Sequence, residues 1–218
     1  MNILAIDTCT EAASITLSIS GQKTSRAILN REKSSSHILK LCDEVFSETN
    51  IELNEIDAIA YTKGPGAFTG VRMCVGVVQG LSLASNIPTM GFSTLELLGY
   101  KAASRLNSAK IAIAVDARMG EVYWAIYEHG LLLNERICGP DNVDKLNEDY
   151  IGVGSGWKSY KESLTLQSSV NRIESSFYPE SGDLIDLFLS AIKNGQMATL
   201  KLPQPTYLRN NVAQKSLK

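Results

Sequence analysis

The sequence predicts an α/β protein built from two duplicated lobes, and three observations support this prediction. Strand-like and helix-like patterns alternate along most of the chain. A strand–turn–strand pattern near the N-terminus returns in the middle of the chain. The 218 residues, 44% of them hydrophobic, suffice for one large domain or two small ones. We therefore expect one lobe in residues 1–105 and a second in residues 106–218, joined near residues 105–109.

The repeated pattern is an apolar run, an aspartate, a polar turn and an alternating strand that ends at glycine. NILAID begins the first copy, and KIAIAVD begins the second. When Asp7 is set against Asp116, the two copies align without a gap until Gly21 meets Gly130. A chance similarity of two hairpins is the alternative explanation. A true repeat would make the second lobe a duplicate of the first.

Helical patterns separate the predicted strands. Apolar residues recur at helical spacing within residues 36–49, where a serine at the start would cap the helix. A second helix follows Gly70, and a third begins at a capping box formed by Ser93 and Glu96. Residues 183–194 form an amphipathic helical pattern that a glycine ends. This order of strands and helices is typical of an α/β fold.

Charge and cysteine content narrow the possible functions. The 21 Lys and Arg residues against 23 Asp and Glu residues give a net charge of -2, which disfavours a protein that binds nucleic acid by itself. The four cysteines are scattered without a CxxC pair, which is typical of reduced cytosolic thiols. The N-terminus lacks a signal-peptide pattern, and no stretch approaches the roughly 20 apolar residues that span a bilayer. We therefore expect a cytoplasmic protein without a membrane segment.

The most unusual stretch is KGPGAFTGVRMCVGVVQG, which begins at Lys63 and reads as a glycine-rich turn followed by an apolar helix. It is not a P-loop, because that motif requires GxxxxGK[ST]. Gly64, Gly66 and Gly70 give GxGxxxG instead of the dinucleotide motif GxGxxG. Generic anion binding at the start of the helix remains open. The specific signals of a phosphate site are absent from this stretch.

The helix after the glycine turn is apolar almost all round, with Arg72 and Gln79 as its only long polar side chains. Such a helix must be covered on every side, and one sheet covers one side only. It is therefore either a central core helix or a helix with a stripe that packs on another subunit. Gly76 and Gly80 would let a second helix approach closely, and Phe68 would suit an interface anchor.

A search for catalytic residues finds no complete site. His37 and His129 are the only histidines, and the position four residues after His37 is Leu41, so no helical ligand pair forms. Asp7 and Asp116 end their strands, where paired carboxylates could hold Mg²⁺ and a nucleotide phosphate. However, the turn after Asp7 contains no glycine, which favours turn-forming aspartates. We predict no catalytic residue, no bound cofactor and no metal.

Five blocks of the sequence together carry a resemblance to a known family. The blocks IDTCTEAASITL, SSSHILKL, KGPGAFTGVRMCVGVVQGLSLA, VDARMGEVYWAIY and PTYLRNNVA occur in order and cover nearly the full chain. They resemble the TsaB (YeaZ) family. The resemblance implies an actin-like ATPase (ASKHA) fold, with two duplicated lobes of mixed sheets flanked by helices. It also implies a role in making threonylcarbamoyladenosine on tRNAs that read ANN codons.

The resemblance further implies that the chain is an inactive paralogue of TsaD, the subunit that transfers the threonylcarbamoyl group to tRNA. TsaD holds its metal with a histidine pair on the helix that matches residues 36–49, where this chain has His37 alone. The implied partners are a TsaD-type paralogue in a heterodimer, a TsaE-type ATPase docked on it, and a second copy of this chain when TsaD is absent. ATP would be used by the complex, and tRNA would be contacted only through the complex.

The resemblance places the partner interface on the helix around residues 36–49 and on the helix after the glycine turn. By position and helical phase, we expect the interface to include His37, Leu41, Phe68, Thr69, Arg72, Val75, Gly76 and Gln79. The alternative function is a stand-alone ATP-binding phosphotransferase of the actin-like group. That alternative would require glycine in the turns after Asp7 and Asp116.

The C-terminal tail adds one charge signal. After Asp186 no acidic residue follows, whereas five basic residues do: Lys193, Lys201, Arg209, Lys215 and Lys218. A solvated, frayed terminus is one interpretation. A supporting contact to tRNA phosphates or to an acidic partner surface is the other.

Overall fold

Two five-stranded mixed sheets form the framework of the protein. The computed structural model describes residues 1–10, 12–28 and 31–209, with residues 31–36 described by their backbone only. The first sheet has the order β3-β2-β1-β4-β5 and contains β1 (Asn2–Asp7), β2 (Ala13–Ile19), β3 (Gln22–Ile28), β4 (Ala58–Thr62) and β5 (Thr89–Phe92). The second has the order β10-β9-β6-β7-β8 and contains β6 (Lys110–Arg118), β7 (Glu121–Glu128), β8 (Leu131–Cys138), β9 (Ile151–Val153) and β10 (Arg172–Glu174).

The two sheets have the same topology, which confirms the duplication predicted from the hairpin repeat. In each sheet the first three strands are antiparallel neighbours, and the fourth and fifth strands continue in parallel from the first. Asp7 pairs with Ser14 of β2, and Asp116 pairs with Val122 of β7. The fold is therefore α/β and of the actin-like class, as expected.

Helices cover both sheets. They are α1 (Arg31–Thr49), α2 (Phe68–Ser85), α3 (Thr94–Leu106), α4 (Gly156–Ser159), α5 (Lys161–Ser168) and α6 (Ser181–Lys193), with single 3₁₀ turns at Leu53–Glu55 and Pro140–Asn142. Ser93 caps α3 as predicted, because its hydroxyl accepts a hydrogen bond from the Leu95 amide at 3.1 Å. The part of Glu96 in the predicted capping box stays a prediction. The predicted start of α1 at residue 36 is wrong. The apolar stripe marks only the part of α1 that contacts the core, and the helix extends one turn beyond it.

Each face of the first sheet has its own cover. Leu4 and Ile6 of β1 face the core formed with α1 and α2. Ile3 and Ala5 of the same strand face the opposite core, which α6 fills. Alternate residues of a buried strand point to opposite faces, so β1 is apolar throughout because both faces are covered.

The lobes are linked through helices as well as through the chain. Helix α3 lies between them, with Leu97 in a core of the first sheet and Leu95 and Leu98 in a core of the second. The boundary at residues 105 and 106 separates the two sheets, but α6 lies beyond it and packs against the first sheet. The assignment of all residues after 106 to a second domain therefore stays a prediction. Helix α6 does not fit it, because α6 packs on the first lobe.

Candidate functional site

The glycine turn packs directly on the turn that follows β1. A β-carbon added to Gly66 or to Gly70 would overlap a backbone carbonyl oxygen of that turn, at Cys9 and Thr8 respectively. The Ala67 amide donates a hydrogen bond to the Cys9 carbonyl at 2.8 Å, and the Thr8 hydroxyl donates to the Gly70 carbonyl at 2.6 Å. These glycines are therefore required because two segments of backbone approach closely.

Asp7 lies beneath this contact and is fully buried. Its Oδ1 accepts hydrogen bonds from the Thr62 hydroxyl at 2.5 Å and from the Cys9 amide at 3.2 Å. Its Oδ2 has no hydrogen-bond partner among the residues that the structure describes. Burial raises the pKa of the Asp7 carboxyl from 3.8 to about 6, against the lowering effect of its two hydrogen bonds. Asp7 thus supports the turn from inside the core.

Asp116, the matching residue of the second sheet, is held by its own turn. Its carboxylate accepts from the Arg118 amide at 2.8 Å and from the Arg118 guanidinium at 3.0 Å. The Ser159 hydroxyl donates to it at 3.2 Å. Within the described part of the chain, no cluster of three or more His, Cys, Asp and Glu side chains is arranged to hold a metal ion. Both aspartates therefore form turns.

A cleft of about 500 Å³ separates the two lobes. The first lobe contributes Phe68 and Arg72, and the second contributes Asp116 and Met119. Tyr207, near the end of the described chain, lines it as well. The walls combine aromatic and aliphatic side chains with a few charged groups, which is a composition typical of small-molecule pockets.

Residues 203–209, here called the C-terminal strap, run along this cleft. The Gln79 amide group donates to the Pro203 carbonyl at 2.8 Å. The Tyr207 ring lies 6.1 Å from the Phe68 ring between centroids, and its hydroxyl accepts from Arg72 Nε at 3.0 Å. Three of the residues predicted for a partner interface, Phe68, Arg72 and Gln79, therefore contact the strap of their own chain.

The predicted interface helices form an exposed apolar surface, here called the α1/α2 face. It contains an open groove of about 430 Å³, lined by Leu39, Arg72, Met73, Gly76, Val77, Gly80 and Leu81. Leu39 is 59% exposed, and nothing lies within 4 Å of a β-carbon added to Gly76 or Gly80. The buried side of α2 carries Val71, Cys74 and Val78. One side of helix α2 is therefore buried in the core, and the other side is an exposed apolar surface.

Helix α2 also has the length and composition of a membrane-spanning helix. In the structure, its buried side packs in the core of the first sheet, where Cys74 and Val78 are fully enclosed. The core helix of a soluble protein meets the same criteria of length and composition, and 28% of the residues of α2 are buried.

Two of the predicted interface residues lie in the core of the single chain. Leu41 and Val75 are only 5% and 4% exposed and belong to the core of the first sheet. Neither side chain can form an outer surface without unpacking that core. Thr69 and Gly76 are exposed, and His37 is half-buried; their contact with a partner stays a prediction. Leu83 is 68% exposed and lies one turn beyond Gly80 on the same side of α2.

The basic tail is anchored at Arg209. Its guanidinium donates to Glu121 Oε2 at 2.5 Å and to the Ala117 carbonyl at 3.1 Å. The interpretation of a frayed terminus is therefore wrong as far as residue 209. Lys215 and Lys218 lie outside the described residues.

These features define a class of protein, an actin-like α/β chain of two duplicated lobes with an apolar helical face on the first lobe. Residues 28–188 match the family model described as TsaD, tRNA N6-adenosine threonylcarbamoyltransferase. The tRNA threonylcarbamoyladenosine biosynthesis protein TsaB of Escherichia coli is 34% identical over 227 aligned positions, which cover 100% of this chain and 98% of the relative. The protein of the same name from Haemophilus influenzae is 30% identical and covers 100% and 97%.

Solved structures agree. The structure of YeaZ from Pseudomonas aeruginosa is 32% identical, covers 94% of this chain and 100% of its own, and has a TM-score of 0.82. A second Pseudomonas aeruginosa structure, of a protein described as similar to peptidase YeaZ, is 34% identical, covers 95% and 99%, and has a TM-score of 0.86. The chain belongs to the TsaB (YeaZ) family.

Proposed function

We propose that the chain is a non-catalytic subunit in threonylcarbamoyladenosine biosynthesis on tRNAs that read ANN codons. Its task is to bind a TsaD-type threonylcarbamoyltransferase and, with it, a TsaE-type ATPase. The names of the full-length relatives support the pathway. The observation that carries the binding role is the exposed apolar α1/α2 face with two open glycines, Gly76 and Gly80.

The α1/α2 face suits a helical partner. Exposed apolar grooves on a helix pair accept helices from another subunit, and small residues let the backbones approach. A TsaD-type chain shares the fold through the family match and would present matching helices. In its absence, a second copy of this chain would cover the same face as a homodimer. Contact with tRNA would occur through the complex.

The arrangement of both aspartates supports an accessory role over a stand-alone phosphotransferase. Asp7 is sealed beneath the glycine turn, and Asp116 is engaged by Arg118 and Ser159. Asp116 lines the cleft, but a phosphotransferase of the actin-like group would need carboxylates available to a metal–nucleotide complex, and the Asp116 carboxylate already accepts from Arg118 and Ser159. ATP would then be bound by other subunits of the complex.

The test is Gly76→Arg, compared with Leu166→Arg on the exposed surface of α5 as a matched control. Arginine at position 76 meets open space in the monomer and improves helix propensity by up to about 1 kcal/mol, so the monomer should stay folded. On a packed interface the same side chain would clash and be desolvated. We expect light scattering on a sizing column to show loss of both the homodimer and the complex with the TsaD-type partner.

Leu166, which is 88% exposed, should tolerate the arginine without any change in assembly. Unchanged assembly in Gly76→Arg would show that the partner binds elsewhere. Loss of assembly in both variants would indicate a general effect of added charge and would contradict the placement of the interface.

A further inference from the structure

The C-terminal strap is fixed to the first lobe at several points. The Thr206 amide donates to the Lys63 carbonyl at 2.7 Å, and the Gln79 side-chain amide donates to the Pro203 carbonyl at 2.8 Å. Before the strap, Thr199 and Thr89 exchange backbone hydrogen bonds of 2.8 and 2.9 Å at the edge of the first sheet. The strap therefore continues a segment that is already held by the first lobe.

Gly64 is shaped for this contact. It has a φ of +97°, and the Thr206 carbonyl lies 2.8 Å from the position that a β-carbon would occupy. Any other residue would be strained in this conformation and would push the strap away. The first glycine of the glycine turn thus serves the strap, whereas Gly66 and Gly70 serve the turn after β1.

The strap ends on the other side of the cleft. Arg209 contacts the β6–β7 turn of the second lobe through Glu121 and through the carbonyls of Ala117 and Arg118, the last at 3.3 Å. Its side chain is 18% exposed, and a charge-assisted hydrogen bond of 2.5 Å with a carboxylate is among the stronger polar contacts. The strap therefore bridges the cleft from the first lobe to the second.

Arg72 links the strap to the α1/α2 face. It lines both the cleft and the groove between α1 and α2. Its guanidinium lies 3.7 Å over the Phe68 ring, and its Nε is held by the Tyr207 hydroxyl. A displacement of the strap would release this guanidinium at the rim of the groove.

We propose that the C-terminal strap is a latch that holds the two lobes together across the cleft and fixes Arg72 at the rim of the α1/α2 face. Opening the latch would loosen the cleft and weaken binding at that face. The second statement rests on the proposed function, and the first does not.

The test compares Arg209→Ala and Glu121→Gln with Arg172→Ala, which removes an exposed arginine from the edge strand β10. Amide hydrogen exchange of the full chain reports on the latch through the strap and through the first turn of α2. We expect at least about tenfold faster exchange of the Thr206 amide in Arg209→Ala, a smaller increase in Glu121→Gln, and no change in Arg172→Ala. Unchanged exchange in Arg209→Ala would overturn the latch.

Sedimentation of the same variants reports on the α1/α2 face through the dissociation constants of the homodimer and of the TsaD-type complex. We expect Arg209→Ala and Tyr207→Ala to weaken both by about tenfold, with Gly76→Arg as the reference for a blocked face. Suppose that Gly76→Arg blocks assembly and that the strap is released in Arg209→Ala without a change in the dissociation constants. This result would overturn the coupling between the strap and the α1/α2 face, and the proposed function would stand. If Gly76→Arg does not block it, the proposed interface is wrong, and the coupling is overturned with it.

Discussion

The two lobes have one topology but are covered in different ways. In the first lobe, the stretches between β3 and β4 and between β4 and β5 contain the long helices α1 and α2. In the second lobe, the corresponding stretches contain the turn Pro140–Asn142 and the short helices α4 and α5. Among the residues that the structure describes, the exposed apolar α1/α2 face therefore belongs to the first lobe, and the second lobe has no long helices at the corresponding places. Duplication preserved the sheets, and the helices that cover them diverged.

A pair of glycines follows the fourth strand of each sheet. Gly64 and Gly66 follow β4, which ends at Thr62, and Gly154 and Gly156 follow β9, which ends at Val153. In both lobes, a β-carbon on the second glycine of the pair would press on backbone from the first strand or its turn. The contact is tighter in the first lobe, where the glycine turn leads into α2 and seals Asp7.

The largest effect is expected where the two lobes differ in this contact. In Gly66→Ala, the new β-carbon overlaps the Cys9 carbonyl oxygen, and two backbone segments must separate. We expect a loss of more than about 3 kcal/mol in the free energy of unfolding, measured with urea. In the matched variant Gly156→Ala, the nearest atoms are the backbone carbon and oxygen of Ala114 at 2.9 Å, so the loss should be smaller. Equal losses of unfolding free energy in the two variants would contradict a tighter glycine contact in the first lobe.

A pH-dependent effect should distinguish Asp7. Its pKa is raised from 3.8 to about 6, so the folded protein binds the proton more tightly than the unfolded chain does. Well below pH 4 the Asp7 carboxyl is protonated in both the folded and the unfolded protein and does not lower the free energy of unfolding. The free energy of unfolding then falls progressively as the pH rises through 6. A shift of about 2 pKa units corresponds to about 3 kcal/mol. We expect the stability of Asp7→Asn, relative to the unchanged protein, to rise by about this amount between pH 4 and pH 7.

Urea unfolding of both proteins at several pH values measures this difference, and other titrating groups cancel in the comparison. A difference that stays constant across this range would contradict the pKa shift. Thr62→Val, which removes the hydroxyl donor to Asp7 Oδ1, should move the pH dependence to higher pH.

The smallest effect is expected for Asp116→Asn. The Asp116 side chain is only 9% exposed, but asparagine keeps an oxygen that can accept from the Arg118 amide, so we expect a loss of about 1 kcal/mol in the free energy of unfolding. If the chain is an accessory subunit, modification of tRNA by the complete complex should remain nearly unchanged in this variant. A complete loss of threonylcarbamoyladenosine would favour the phosphotransferase alternative and a catalytic second lobe.

Much of the framework could be predicted because short-range patterns report it. Alternating and continuous apolar runs identified the strands of both hairpins, and the aligned aspartates identified the duplication. The exposed side of α2 followed from a helix with too much apolar surface for one sheet to cover. The burial of Leu41 in α1 and of Val75 in α2 could not be predicted, because the apolar stripes of a helix look alike until it is known which one the sheet covers.

The position of the strap could not be predicted from the sequence. Its contacts join Pro203 to Gln79 and Arg209 to Glu121, which are separated by 124 and 88 residues along the chain. A proline-containing segment without periodicity carries no signal of where it will lie. The role of Gly64 was hidden for the same reason, since only the position of Thr206 explains it.

The sequence by itself determined the strands, the repeat, the apolar character of α2 and the membership of a family, because each depends on residue type and spacing along the chain. Only the tertiary structure decided that α6 covers the first sheet, that Asp7 is sealed while Asp116 is paired at a turn, and that the strap crosses the cleft. Those features depend on which surfaces meet in space, and burial and hydrogen bonding between distant segments fix them.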